Sequence, residues 1–149
     1  SWDINVMSHV YAARHLLPLM VARGGGYFLN TSSAAGLLNQ IGGAAYGVTK
    51  HAAVGFGEWL AIHHKHEGVK VSMLCPQAVR TPMTETDNDA TAAAASNGMI
   101  EPEELCDTVV EGLRDESFMI LPHPIVLDFM RNKTSNYDRL IGGMNKLMK

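Results

Sequence analysis

Tyr46 and Lys50 are the residues whose types and spacing first suggest chemistry. Four positions apart on a helix, they share one face, a turn from each other. A phenol has an ordinary pKa of about 10 and exchanges protons poorly near neutrality. A neighbouring ammonium favours the phenolate, so such a pair can pass a proton to or from an alcohol oxygen. Ser33 stands upstream of the pair. Its hydroxyl could donate to the same oxygen and polarise a carbonyl. A surface pair on a helix and an ordinary loop serine would have the same letters, so the surrounding elements must decide.

Val6, Val10, Ala13, Leu17 and Met20 recur at helical spacing and predict an amphipathic helix over residues 2–22. Pro18 inside that pattern predicts a kink or an early stop. After Gly24 to Gly26, the short β-prone run Tyr27 to Thr31 reads as a buried strand, and Ser32 to Gly43 as a loop. The helical period returns from Ala44 to about His66, with Val48, Ala52, Phe56, Trp59, Leu60 and His63 on one side. Val69 to Cys75 is a second strand, closed by Pro76. Thr81 to Gly98 has no strong period and reads as a long loop or loose helix, the sort of segment that forms a lid. Pro102 opens another helix, with Leu105, Val109, Val110 and Leu113 on its apolar face. Phe118 to Leu121 is a third strand, and Val126 to Lys149 forms one or two amphipathic helices. Strands alternating with helices imply an α/β fold with parallel strands and right-handed crossovers. Tyr46 and Lys50 then lie on the second helix, and Ser33 on the loop after the first strand.

The 149 residues suit one domain, with 46% hydrophobic and 18% charged residues, as in a globular protein. A net charge of −3 provides no field for nucleic acid and no polybasic handle for a membrane. No apolar run approaches the ~20 residues of a spanning helix. Cys75 and Cys106 sit in apolar stretches and read as reduced core thiols, which points to a cytoplasmic protein. His63, His64 and His66 read as solvated or dipole-facing residues at a helix end rather than metal ligands, and no metal is expected. His9 and His15 read as interface or surface residues. Met83 and Met99 flank the lid segment, either to touch an apolar substrate or to fill the flap. Ser1-Trp2-Asp3-Ile4-Asn5 runs straight into a helix with no initiator Met, so the chain is expected to be a truncated piece.

The stretch Asn30-Thr31-Ser32-Ser33-Ala34-Ala35-Gly36, followed by Tyr46-Gly47-Val48-Thr49-Lys50, resembles the active-site segment of the short-chain dehydrogenase/reductase family. Asp3-Ile4-Asn5-Val6 resembles the helix that supplies the family's catalytic Asn. Cys75 to Pro82 resembles its Pro-Gly-x-x-x-Thr turn, except that Gln77 stands in place of the Gly. The resemblance implies the C-terminal half of a doubly wound, Rossmann-like parallel-sheet domain over residues 1–149, the half that holds the phosphate loop being absent. It implies NAD or NADP as cofactor and a small-molecule alcohol or ketone as substrate. Tyr46 would be the acid-base, Lys50 would act on Tyr46 and bond the nicotinamide ribose, and Ser33 would orient the substrate. Asn5 would keep its helix open and hold a water extending a relay from Lys50. The Val79 backbone and the Thr81 hydroxyl would bond the carboxamide. Relatives pair through the helices that carry Asn5 and Tyr46, which implies a homodimer or homotetramer.

Three functions stand against one another. The first is an oxidoreductase interconverting a secondary alcohol and a ketone. The second is a catalytically silent dimerisation fragment. The third is a sugar-nucleotide epimerase or dehydratase of the extended branch, disfavoured because the tail is too short for that branch's substrate domain.

Overall fold

A computed structural model describes residues 1–85 and 89–146, with the side chains of 89 and 90 excluded. The chain begins with a π-helical turn, Asp3–Met7, that leads into α1 (Ser8–Ala22). β1 (Gly26–Thr31) follows, then a short α2 (Ala35–Leu38), α3 (Ala44–His64) and β2 (Val69–Leu74). Then come α4 (Asp89–Ala95), α5 (Pro102–Arg114), β3 (Met119–Ile120), α6 (Ile125–Ser135) and α7 (Tyr137–Lys146).

The three strands form one parallel sheet in the order β1-β2-β3. Glycines start two of them together. Gly24 and Gly25 carry positive φ before β1, and Gly68 does so before β2. The Gly26 N–H donates to the Gly68 carbonyl at 3.3 Å, and a side chain at Gly25 would collide with that carbonyl. Pairing then runs in register from Gly26 opposite Val69 to Thr31 opposite Leu74. The Met73 N–H bonds the Phe118 carbonyl at 2.6 Å, just before β3, and the Cys75 N–H bonds Ile120 at 3.0 Å. The predicted third strand is therefore engaged from Phe118 to Ile120, though only Met119 and Ile120 are regular.

β2 is buried at five of six positions, as expected for a strand covered on both faces. Its Val69, Val71 and Met73 join Phe28, Met20, Val54, Leu60 and Val126 in the core. At the first helix the predicted face holds, since Val6, Ala13 and Met20 are buried. Pro18 does not stop α1, which continues to Ala22. Proline inside a helix costs about 3 kcal/mol, and here Leu17, Met20 and Val21 pack against the core on either side of it.

The structure corrects three other expectations. The loop after β1 contains the helix α2. On α3 the buried residues are the small ones, Gly47, Thr49, Ala53 and Gly57, with Val54 and Leu60. Val48 and Trp59, placed on the predicted stripe, are exposed. The reason is close approach: a side chain at Gly57 would overlap Met73 of β2. Cys106 is exposed on α5 rather than a core thiol; Cys75 is buried. The segment 81–98, expected as a long loop or loose helix, contains a 3-10 turn, Pro82–Thr84, and α4, and its part at 86–88 lies outside the described residues.

At the end of α3 the histidines bond locally. His63 Nδ1 pairs with the Trp59 carbonyl at 2.8 Å with its ring over Trp59, and His64 pairs with Glu67. No described helix is long and apolar enough to cross a membrane.

Candidate active site

Tyr46 and Lys50 occupy the opening turns of α3, both half-buried. The Lys50 ammonium lies 5.5 Å from the centre of the Tyr46 ring, within cation–π range. Among the described residues no hydrogen bond or ion pair engages the Lys50 ammonium or the Tyr46 hydroxyl. Burial lowers the Lys50 pKa, more than the nearby Cys75 raises it.

The loop after β1 is laced to the same helix. Ser32 donates from Oγ to the Lys50 carbonyl at 3.0 Å. Gly36 lies so close that a Cβ there would sit 2.6 Å from the same carbonyl oxygen. Ser33, between them, accepts the Ala35 N–H on its Oγ at 3.1 Å. Among the described residues its own proton has only a long contact, 3.5 Å to the Pro76 carbonyl. The hydroxyl is thus oriented by an incoming donor while its proton remains weakly held.

Asn5 sits within the π-helical turn, a widened turn of the kind often found at functional sites. Its Nδ2 donates to Thr49 Oγ1 at 2.9 Å, and Thr49 donates onward to the Tyr46 carbonyl at 2.9 Å. The side chain expected to serve Lys50 is thus engaged by the residue beside it.

Val79 and Thr81 lie on the turn that leaves β2. Ala78 and Arg80 bond Ile100, at 3.2 and 2.9 Å, so the excursion between them is closed at its neck. Thr84 Oγ1 donates to the Val79 carbonyl at 2.7 Å and accepts the Thr81 N–H at 3.1 Å. One lone pair of Val79 is therefore occupied and a second remains. The contact between Ser33 and Pro76 brings this turn against the loop after β1. At the departure from the family's pattern, the Gln77 N–H donates to His123 Nδ1 at 3.2 Å.

This arrangement carries the strand-loop-helix order, the Ser33, Tyr46 and Lys50 positions, and the turn at the end of β2. A family model described as short chain dehydrogenase matches residues 1–92. The chain belongs to the short-chain dehydrogenase family. It is 32% identical over 133 residues to epidermal retinol dehydrogenase 2 of Homo sapiens, covering 87% of this chain and 42% of that protein. It is 30% identical over 120 residues to 1-deoxy-11-beta-hydroxypentalenate dehydrogenase of Streptomyces exfoliatus, covering 80% of this chain and 43% of that one. The chain thus spans less than half the length of these relatives. Among solved structures, a short chain dehydrogenase/reductase from Burkholderia phymatum in complex with NAD has a TM-score of 0.77 at 24% identity. The match covers 92% of this chain and 57% of that one. A short chain dehydrogenase from Burkholderia cenocepacia in complex with NADP has a TM-score of 0.80 at 16% identity, covering 96% and 56%. These likenesses show a shared Rossmann-like fold.

In this short-chain dehydrogenase chain, sequence reasoning missed two neighbours of Lys50. His9, expected at the surface or an interface, is half-buried near Lys50, Asn30 and the Thr31 backbone. Burial lowers its pKa first and the Lys50 charge second, while Asn30 and Thr31 act the other way. The available signal was its place one turn after Asn5, on the same helix face. Cys75 is the other, its thiol pushed up to about 11 chiefly by burial, with Lys50 and the Ser33 backbone opposing. It is a packed thiol, not a reactive one. An open cavity of about 450 Å³ lies elsewhere, between residues 38–42 and α6 and α7, and neither Tyr46, Lys50 nor Ser33 lines it.

Proposed function

We propose that the protein is an NAD(P)-dependent oxidoreductase that interconverts a secondary alcohol and a ketone. The observation that carries the reading is the half-buried Lys50 ammonium beside the Tyr46 ring, with no hydrogen bond or ion pair among the described residues. Such a group fits a ribose diol, whose oxygens would accept its protons. Tyr46 and Lys50 would hold the nicotinamide ribose, and the Val79 backbone with Thr81 the carboxamide. Bound there, the nicotinamide would supply or take up the hydride.

Tyr46 gives its proton to the carbonyl oxygen in reduction and takes it back in oxidation. Lys50 would keep its ammonium beside the Tyr46 ring during this exchange. Ser33, with its proton weakly held, donates to the same oxygen and orients it. Asn5 holds Thr49 and so fixes the turn of α3 between Tyr46 and Lys50.

Exposed Ile4, Leu19, Val48 and Ile62 on the π-helical turn, α1 and α3 support pairing with a second copy as a homodimer or homotetramer. Sedimentation of the intact protein would measure it, and a monomer at all concentrations would reject it.

The test of the activity is turnover of secondary alcohols with NAD or NADP by the intact protein and its Tyr46→Phe variant. Loss of the general acid-base is expected to lower turnover by about 10²- to 10⁴-fold. Undiminished turnover in the variant would reject the assignment.

A further inference from the structure

We propose that His123 is a positioning residue for the turn from Pro76 to Thr81, and that it holds this turn in place only while its imidazole is neutral. The inference rests on the reading above for its functional consequence, and on the geometry alone for its structural part.

His123 lies just beyond β3, between Pro122 and Pro124, and is 4% exposed. The fixed φ of each proline restricts the backbone around the ring. Its Nδ1 accepts the backbone N–H of Gln77 at 3.2 Å, a link across 46 positions between the ends of two strands. Accepting at Nδ1 requires the neutral ring to carry its proton on Nε2. Among the described residues that Nε2 is buried without a hydrogen-bond partner, and so is Gln77 Oε1. A buried polar atom left without a partner destabilises the state that buries it. The turn is held at Pro76 by the Ala34 N–H and at Ala78 and Arg80 by Ile100, and at Gln77 the bond to His123 is what opposes local opening.

Protonation would reverse that bond. With a proton on Nδ1, the ring meets the Gln77 N–H donor to donor. A cation would also be confined in a site with little access to water. The groups facing the ring are the Ala78 backbone on the turn, the Gly98 backbone after α4, and the Glu104 carboxylate on α5. All three favour the cation, yet burial outweighs them and the pKa is lowered. Because the closed state binds the proton less well than an open one, acidification below the ordinary value of about 6.5 favours opening. Val79 and Thr81 lie on the same turn, so opening would displace the carboxamide contacts assigned to them.

The measurement is amide hydrogen exchange at Gln77 by NMR on the intact protein, with the His123 ring titrated in the same samples. Corrected for intrinsic pH dependence, Gln77 exchange is expected to rise about tenfold or more as the ring protonates between about pH 7.5 and pH 5. His123→Asn keeps an acceptor but cannot titrate, and should hold the amide protected across that range. His123→Leu should leave it fast-exchanging throughout. If the Leu variant fails to fold, the wild-type titration and the Asn variant still decide. Unchanged Gln77 exchange while the ring becomes protonated would overturn the proposal, as would the same pH step in His123→Asn. A second arm follows NADH and NADPH affinity over the same range. Affinity falling in step with Gln77 opening, and flat in His123→Asn, extends the proposal to cofactor binding. Opening without any change in affinity would leave His123 as the turn's anchor and remove the nicotinamide from this turn.

Discussion

Asn5 and Thr49, 44 positions apart, are joined by a 2.9 Å hydrogen bond from Nδ2 to Oγ1. Thr49 is 4% exposed and passes a second bond to the Tyr46 carbonyl, so this pair ties the entry of α1 to the turn that presents Tyr46 and Lys50. Thr49→Val should remove both bonds with little change of shape and destabilise the protein by about 1–3 kcal/mol. Asn5→Ala should overlap with it. In a double-mutant cycle by denaturant unfolding the two costs should fall short of additivity; full additivity would show that the bond contributes nothing.

Gly36→Ala should be harmful although alanine is small. Its Cβ would lie 2.6 Å from the Lys50 carbonyl and 2.7 Å from Ser32 Oγ. The backbone of α3 cannot yield easily, so a cost of about 1–3 kcal/mol is expected. Turnover should fall with it, since the displaced loop carries Ser33. A thermal melt and steady-state rates check both effects, and an unshifted melt would contradict the close approach.

Lys50→Met should change the titration of His9. The Lys50 charge is the second cause of the lowered His9 pKa, after burial. Removing it should raise that pKa, read from ring shifts by NMR; an unchanged value would separate the two side chains. The folded protein binds protons less readily at His9 than an ordinary histidine of about 6.5, so stability is lost as pH falls from that value toward the lowered one. His9→Gln should flatten this part of the acid limb.

Lys50 itself predicts an alkaline effect of the same sign. Its folded pKa lies below the usual lysine range because of burial. Wild-type stability relative to Lys50→Met should therefore rise as pH climbs from the folded value toward the ordinary value of about 10.4. Denaturant midpoints of the two proteins across that range provide the check, and parallel curves would contradict it.

Ser72→Ala should weaken the sheet. Ser72 is 0% exposed, bonds the Tyr27 hydroxyl at 2.8 Å and donates to the Ser117 carbonyl at 2.6 Å, joining β1, β2 and the approach to β3. The loss leaves two half-buried partners unsatisfied, and a cost of about 1–3 kcal/mol is expected from denaturant unfolding. A value near zero would mean that water replaces the hydroxyl.

The amino-acid sequence by itself determined the alternation of strands and helices, the parallel sheet it implies, and the turn-apart placing of Tyr46 and Lys50. These follow from local period and turn chemistry, which neighbouring residues carry. Tertiary structure decided which side of α3 is buried, because the size of Met73 at the facing strand selects small residues there. It likewise decided that Cys106 faces outward, that His9 comes to Lys50, and that His123 reaches Gln77. Of these only His9 had a local signal, its place one turn after Asn5; the others depend on what a distant segment places opposite, and a hydrogen bond across 46 positions leaves no local pattern.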